Sequence, residues 1–374
     1  SFGGKLASGT YNFNGGANLW QLNGGWTDAA TGGLGDPTNV GIVRLFEFGG
    51  QLYAGVDNWD ESANRSTGAQ LLRSSNGTSW TPVMTGGFDR IDNGGIFALD
   101  AFSGSLYAGT YSYTSTHGAE LWRSTTGNAG EWQQVVPNGF GTANNRGIWS
   151  LAAYNGHFYA GTRNTQSGPE IWRSPDGLNW NKVATNGFGA ASLTMVYALE
   201  PFNGSLYAGV FSNPSVNTTD AILWRCQTCD GSDWQAVTPL RFGSSANRAV
   251  ESLIVYNRML YAFTVNPTTG MEVWRTSDGA SWAQVGFAGL GESNNYYPLY
   301  DNSTVVHNGN LYVGVWNDSH GGKIWQYIPE RATVDITDPA QPATLVFTPT
   351  SGGQSTVQIS AYALAQPTEL VYDP

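Results

Sequence analysis

Short bursts of alternating apolar and polar residues punctuate this chain, and polar turn residues separate them. "HFYAGT" (157–162) and "EIWRS" (170–174) are rich in aromatic and β-branched side chains. Between such bursts lie clusters of Asn, Asp, Gly and Ser, as in "RSPDGLNW" (Arg173–Trp180). That alternation predicts short β-strands joined by tight turns. No apolar run approaches the length of a membrane-spanning helix.

The bursts recur at a fixed spacing. "LYAG" begins at Leu52, Leu106 and Leu206, and in altered form at Phe158, Leu260 and Leu311. A second marker, the Trp of "LWR", falls at Trp122, Trp172, Trp224, Trp274 and Trp325, with Leu72 in its place in "LLR". The intervals are 50, 50, 52, 50 and 51 residues. A worn seventh copy at the N-terminus puts Leu6 on the first marker and Trp20 on the second. Each copy predicts four strands: a ("GIWSLAAYNG"), b ("HFYAGT"), c ("EIWRS") and d ("WNKVA"). Such a unit, repeated seven times, predicts an all-β, seven-bladed β-propeller over residues 1–328. The first copy lacks strand a and the last lacks a clear strand d. These complementary deficits argue for a closed ring over a solenoid.

The tail, residues 329–374, contains no Trp and is rich in Val, Thr and Pro. It is expected to be extended β structure. "ATVDIT" (Ala332–Thr337) is expected to supply the missing strand d. "ATLVFTP" (Ala343–Pro349) is expected to supply the missing strand a, beside Leu6–Thr10. The remaining segments would pair with the outer rim, or with a neighbouring copy of the chain by strand complementation.

The c–d turns "RSSNGTSW", "RSPDGLNW" and "RTSDGASW" resemble the Asp-box hairpin of sialidase-like propellers, with one residue fewer between Asp and Trp. The whole unit is similar to the "LYAGT…EVWRSxDGxxW" repeats of uncharacterised microbial cell-surface proteins. The resemblance covers roughly residues 1–328 and implies a propeller fold. It implies little about function, because such turns occur in enzymes and in inert scaffolds alike. Two turns, "RSTTGNAGEW" and "RCQTCDGSDW", depart from the pattern.

Composition narrows the partners. Charged residues make up 12%, aromatics 13%, and there are 49 glycines, which suits an ordered, turn-rich β protein. The net charge of −11, from 17 basic and 28 acidic residues, would repel a phosphate backbone, so nucleic acid is an unfavourable partner. The abrupt start at "SFGGKLASGTYNF" raises the expectation that a leader or upstream domain has been removed.

In such blades the d–a and b–c connections share one face and the c–d turns hold the other, so ligand chemistry is expected on the first face. An Asn recurs in the d–a connections as Asn39, Asn93, Asn145, Asn247 and Asn295, with Leu193 in the odd one. These residues either ring a channel or bond local backbone; the second reading is preferred. The b–c loops vary from copy to copy and carry Asp57, Trp59, Tyr111, Tyr113, Arg163, Phe211, Trp316 and Asp318. Aromatic faces beside carboxylates and amides suit sugar rings. A sialidase-like mechanism would draw on Arg44, Arg146, Tyr197, Arg248 and Glu251. Loops such as "DNWDE" and "NDSHGG" are candidates for calcium, without regular EF-hand spacing. The four histidines, His117, His157, His307 and His320, lack metal-ligand spacing.

The Arg after each marker Trp lies within a packed strand and needs partners; Glu47, Asp100 and Glu200 are the expected ones. Cys226 and Cys229, the only cysteines, sit in a c–d hairpin and are expected to form a structural disulfide, which points to an extracellular setting. The expected function is adhesive or architectural and non-catalytic. Glycan binding is the alternative, and a glycoside hydrolase or polysaccharide lyase stands behind it.

Overall fold

The computed structural model describes residues 1–327 except Ser115, Ala191, Pro214, Thr218, residues 299–302, Asp318 and His320, and further on the backbone of four strands. Its first sheet is β1 (Leu6–Gly9), β2 (Leu19–Leu22) and β3 (Trp26–Ala30), paired antiparallel in that order. Five antiparallel meanders follow. They are β4 (Asn39–Phe48), β5 (Gln51–Asn58), β6 (Leu71–Ser74) and β7 (Thr81–Met84); β8 (Asn93–Phe102), β9 (Ser105–Ser112), β10 (Leu121–Ser124) and β11 (Gln133–Val136); β12 (Gly147–Tyr154), β13 (His157–Arg163), β14 (Ile171–Ser174) and β15 (Asn181–Ala184); β16 (Leu193–Phe202), β17 (Ser205–Ser212), β18 (Leu223–Cys226) and β19 (Gln235–Ala236); and β20 (Ala249–Tyr256), β21 (Met259–Val265), β22 (Val273–Thr276) and β23 (Ala283–Val285). The last sheet before the tail pairs β24 (Asn295–Pro298) and β25 (Thr304–His307) with β26 (Asn310–Asn317), and β26 with β27 (Lys323–Tyr327). These sheets fall on the seven copies read from the sequence and are called units one to seven below.

The repeated residues are framework. Tyr53, Tyr107, Tyr159, Tyr207 and Tyr261 of the "LYA" segments are fully buried. The Gly of "LYAG" allows the next unit to close in: a Cβ on Gly209 would stand 2.4 Å from the Val250 carbonyl oxygen. Unit six has Phe263 there, 2% exposed and packed with Leu311 and Val313 of unit seven. Where strand d turns back towards strand a, two successive residues adopt left-handed backbone, as at Gly139 (φ 60°) and Phe140 (φ 59°). The turn lays the Phe on the strand-c Trp of the following unit: Phe140 stacks on Trp172 at 4.6 Å, and Phe88, Phe188 and Phe242 repeat this on Trp122, Trp224 and Trp274.

The c–d hairpins are held by their own side chains. Asp176 Oδ1 accepts from the N–H groups of Leu178 and Asn179, each at 2.8 Å, while Ser174 Oγ accepts from the Gly177 N–H at 2.7 Å. The aberrant hairpin of unit five is rebuilt around a disulfide, Cys226–Cys229. There Asp233 accepts from the N–H groups of Gln227, Thr228 and Cys229. The marker arginines reach onward. Arg73 donates to Asn128, Arg173 to the carbonyls of Thr228 and Cys229, and Arg225 to the carbonyl of Gly279. Each acceptor lies in the c–d hairpin of the next unit along the chain. The expected partners Glu47, Asp100 and Glu200 lie across Leu52, Tyr107 and Tyr207 in register, so for Asp100 and Glu200 a tyrosine stands between acid and arginine.

The tail forms β28 (Ala332–Ile336), β29 (Ala343–Phe347), β30 (Ser355–Ile359) and β31 (Thr368–Tyr372). β28 pairs with β31 and β29 with β30, both antiparallel. This differs from the expected placement of β28 beside β27 and of β29 beside β1. For β29, the nearby β30 is reached at lower loop-closure cost than β1, more than three hundred residues away, because that cost grows roughly as the logarithm of the loop length; loop length does not explain why β28 takes β31 over the adjacent β27.

Candidate functional site

One strand position assembles the site. The residue five places after the first residue of each "LYAG"-type segment lies at or beside the end of strand b, and in units one to five it bridges to strand a of the next unit. Tyr11 pairs with Gly41, Asp57 with Gly95, Tyr111 with Gly147, Arg163 with Met195 and Phe211 with Ala249. Each small or extended partner lets strand b pass close to the neighbouring strand. The bridging residues therefore trace an arc along the inner strands, at the end where the b–c loops begin. Behind it packs an apolar cluster from successive a strands: Val43, Phe97, Trp149 and Met195, with Tyr197 against it.

Within the arc, Asp57 is 8% exposed and accepts hydrogen bonds from two tyrosines. Tyr11 Oη donates to Oδ2 at 2.9 Å and Tyr113 Oη to Oδ1 at 2.5 Å. Burial pushes the Asp57 carboxyl up to about 6, and the two phenol donors oppose the rise. Trp59 meets the Tyr113 ring edge-on at 5.1 Å, and Tyr111 meets it at 5.2 Å. Arg163 lies over Tyr111, 5.0 Å from the ring centre, and donates from Nη1 to its hydroxyl at 2.8 Å. Arg146 lies over the same ring at 5.6 Å and donates to the carbonyls of Ser112 and Tyr113. Phe211 joins through Tyr197, which also touches Trp149.

Of the residues singled out from the sequence, Asp57, Trp59, Tyr111, Tyr113 and Arg163 thus come together, with Phe211 at the end of the arc. Among the described residues, Trp316 stacks on Tyr297 at 6.1 Å. It borders a cleft of about 920 Å³ between unit one and unit seven, also lined by Tyr11, Trp20, Trp26 and Trp325. Asp318 and His320 lie outside the described residues. Of the catalytic candidates, Arg146 and Tyr197 pack in the arc, whereas Arg44 and Glu251 are buried at 7% and 2% exposure. In the loop considered for calcium, Asp60 Oδ1 accepts from the Ser62 hydroxyl and from the N–H groups of Ser62 and Ala63.

The recurring asparagines serve the turns. Asn39, Asn93, Asn145, Asn247 and Asn295 are all fully buried. Asn145 donates to the Gly139 carbonyl at 2.9 Å and to Glu170 at 2.6 Å, and accepts from Asn164 at 2.9 Å. Asn93 and Asn247 make the matching bonds to Glu120 and Glu272, whose carboxylates also accept from the marker Trp122 and Trp274.

Sequence reasoning passed over Tyr11, and it did not connect the second set of asparagines, Asn58, Asn164, Asn266 and Asn317, to the first set, which they bond. Both were findable by counting five and six places from each marker Leu.

With sheets and site in place, the comparisons agree on the class: this is an all-β protein with a β-propeller domain. A family model described as the DUF6242 beta propeller domain matches residues 174–359. A structure from Bacteroides uniformis, described as a candidate 6-phosphogluconolactonase, is similar over 99% of this chain and 100% of its own, at 13% identity and a TM-score of 0.52. A protein of unknown function from Dyadobacter fermentans is similar over 75% of this chain and 92% of its own, at 13% identity and a TM-score of 0.47. The GH43B protein of a Bacteroides ovatus xyloglucan locus is 12% identical over 87% of this chain and 82% of its own, with a TM-score of 0.37. No curated protein matches the sequence.

Proposed function

We propose that this is a secreted or cell-surface, non-catalytic propeller of seven four-stranded units, with an adhesive role exerted by binding glycan at the arc. The observation that carries the reading is the convergence of Trp59, Tyr111 and Tyr113 on Asp57 and Arg163. Aromatic faces stack on the apolar faces of sugar rings, and fixed polar groups read hydroxyls. Each oxygen of Asp57 is engaged by a phenol, which favours a positioning role over acid–base work. The Cys226–Cys229 disulfide supports an oxidising compartment.

A glycan array on the intact chain, with Trp59→Ala beside it, tests the proposal. The substitution should weaken binding of the captured glycan by about tenfold, the scale of one lost aromatic contact, and leave the melting temperature nearly unchanged. An array with no binder, or binding indifferent to Trp59, refutes the reading.

Ring closure is part of the same proposal. β1 and β27 each have one recorded ladder partner, β2 and β26, and the cleft lies between their sheets. The tail is the segment proposed to cover that seam. Deleting residues 329–374 should lower the melting temperature by about 5–10 °C, as for loss of a few kcal/mol in a domain of this size. Unchanged melting removes the tail from the ring, and a changed oligomeric state on a sizing column would instead assign it to contacts between copies.

A further inference from the structure

The arc is polarised. Units one to three supply Tyr11, Asp57 and Tyr111, while unit four supplies Arg163. Arg146 and Arg248 sit one residue before the strand-a bridge positions Gly147 and Ala249.

The described cations divide by what they touch, and Arg241, 3% exposed, is likewise held by carbonyls and a hydroxyl with no recorded ion pair. Arg90 pairs with Glu120, Lys182 with Glu170 and Lys323 with Glu292. The marker arginines Arg73, Arg173 and Arg225 are spent on the hairpins of other units. By contrast, no ion pair recorded among the described residues involves Arg146, Arg163 or Arg248.

Arg163 is half-buried, and among the described residues its side chain has one recorded hydrogen bond, from Nη1 to the Tyr111 hydroxyl. That leaves the Nε–Nη2 edge of its fork uncommitted. Arg146 uses Nε and Nη2 on backbone carbonyls, which do not neutralise its charge. A guanidinium stays charged at any physiological pH, and partial burial without a counter-charge is costly. In a chain with 28 acidic against 17 basic residues, leaving this pair without an acid is not forced by scarcity.

We infer that the Arg163 edge, backed by Arg146, receives a carboxylate of the ligand, so that the glycan is acidic and carries uronate residues. The inference rests on the glycan reading above and names its ligand class. The planar fork of Arg matches a carboxylate in a two-bond geometry. Trp59 and Tyr113 supply the apolar contact for the sugar ring, and Tyr111 lies between them and Arg163. The net charge of −11 opposes a polyanion only over about 8 Å at physiological salt, so recognition depends on this short-range contact.

The test is calorimetric titration of the intact chain with a polyuronate oligomer and with the same oligomer after its carboxyls are reduced to alcohols. The wild type should bind the acidic form at least tenfold more tightly than the neutral one. Arg163→Gln should collapse that ratio towards one, and Arg163→Lys should restore part of it. Trp59→Ala should weaken both forms alike. Equal wild-type affinity for the two forms overturns the carboxylate assignment and leaves glycan binding standing. Equal loss of both forms in Arg163→Gln also overturns it, because Arg163 would then only be propping Tyr111. A sulfated neutral oligomer bound as tightly as the uronate would reduce the site to a general anion subsite and overturn the choice of carboxylate. If the wild type binds no form, the glycan reading fails with it.

Discussion

Tyr107 and Tyr111 lie on the same strand, four residues apart, and do opposite things. Tyr107 has counterparts at the same position in five other units; it is fully buried, and its hydroxyl faces the c–d hairpin of the next unit. Tyr111 has a different residue at its position in nearly every unit; it is half-buried and carries two arginines on its ring. The backbone register is the same at both ends of the strand. What differs is whether the end packs against a repeated partner. At the hairpin end Tyr53, Tyr107 and Tyr207 meet the equivalent turn glycine, Gly127, Gly177 and Gly279, so the side chain cannot vary there. At the mouth the bridge to the next unit is made by backbone alone, so the side chain is free to specialise. Repetition marks the scaffold, and variation at a fixed register marks the surface proposed to bind glycan.

The hairpin end gives the largest expected effect. Gly177 has φ +74°, and a Cβ there would stand 1.9 Å from Tyr107 Oη. Gly130, also in a c–d hairpin, has φ +78° and nothing within 4 Å. Gly177→Ala should cost about 3 kcal/mol, joining left-handed strain to overpacking of a buried ring, whereas Gly130→Ala should cost about 1 kcal/mol from the backbone alone. Urea unfolding of both variants measures the difference. Equal losses would break the comparison, because the repeated tyrosine would then not be locking units together.

The same contrast explains what could be read from the sequence. Strand spacing, unit boundaries and the shared face of the d–a and b–c connections follow from side chains that act locally: turn glycines, alternating strands, Asn beside backbone. Asp57, Trp59, Tyr111, Tyr113 and Arg163 were visible because their loops refuse the repeat. Tyr11 was missed because its copy has lost the Tyr of "LYAG", so the chain was not counted forward to the arc position. Partners in other units were beyond reach. Nothing in "LWRS" says that Arg173 ends on the carbonyls of Thr228 and Cys229, and charge matching pointed to acids on its own sheet instead. The tail misled because its strands alternate as well as any others, and pattern does not choose between a distant open edge and a nearby antiparallel partner. Unit five shows how local the rules are. There Leu193 replaces the turn Asn and Ile222 stands where units three, four and six have Glu and unit two has Gln70, so apolar residues take over both positions of a polar bond. Trp224, deprived of the carboxylate, turns its Nε1 to the Ala221 carbonyl at 3.3 Å.

The smallest expected effect separates the two ends by the sign of their pH dependence. At the hairpin end, Asp176 and Asp278 are fully exposed and accept from the backbone N–H groups of their own turns. The Asn179 and Leu178 N–H groups hold Asp176 well below the usual carboxylate range, and the Ser281 and Ala280 N–H groups hold Asp278 at about 2. Stability from such groups is present above pH 4 and is lost as pH falls through the folded value. Asp57 at the mouth runs the other way. Its folded value of about 6 exceeds the ordinary 3.8, so the folded chain holds the proton more tightly than the unfolded one. Its contribution is fully favourable below about pH 4, shrinks as pH rises towards 6, and is flat above. The span is on the order of 2–3 kcal/mol, an upper bound for a shift of this size. Asp57→Asn removes that titration while keeping one acceptor for a phenol. The stability of the variant relative to wild type should therefore rise between pH 4 and pH 7, because the wild type alone loses ground as its carboxyl ionises. Chemical denaturation at several pH values across that window measures the difference directly. A difference that stays constant would mean that Asp57 is already ionised throughout, and that the mouth of the arc is wetter than its packing implies.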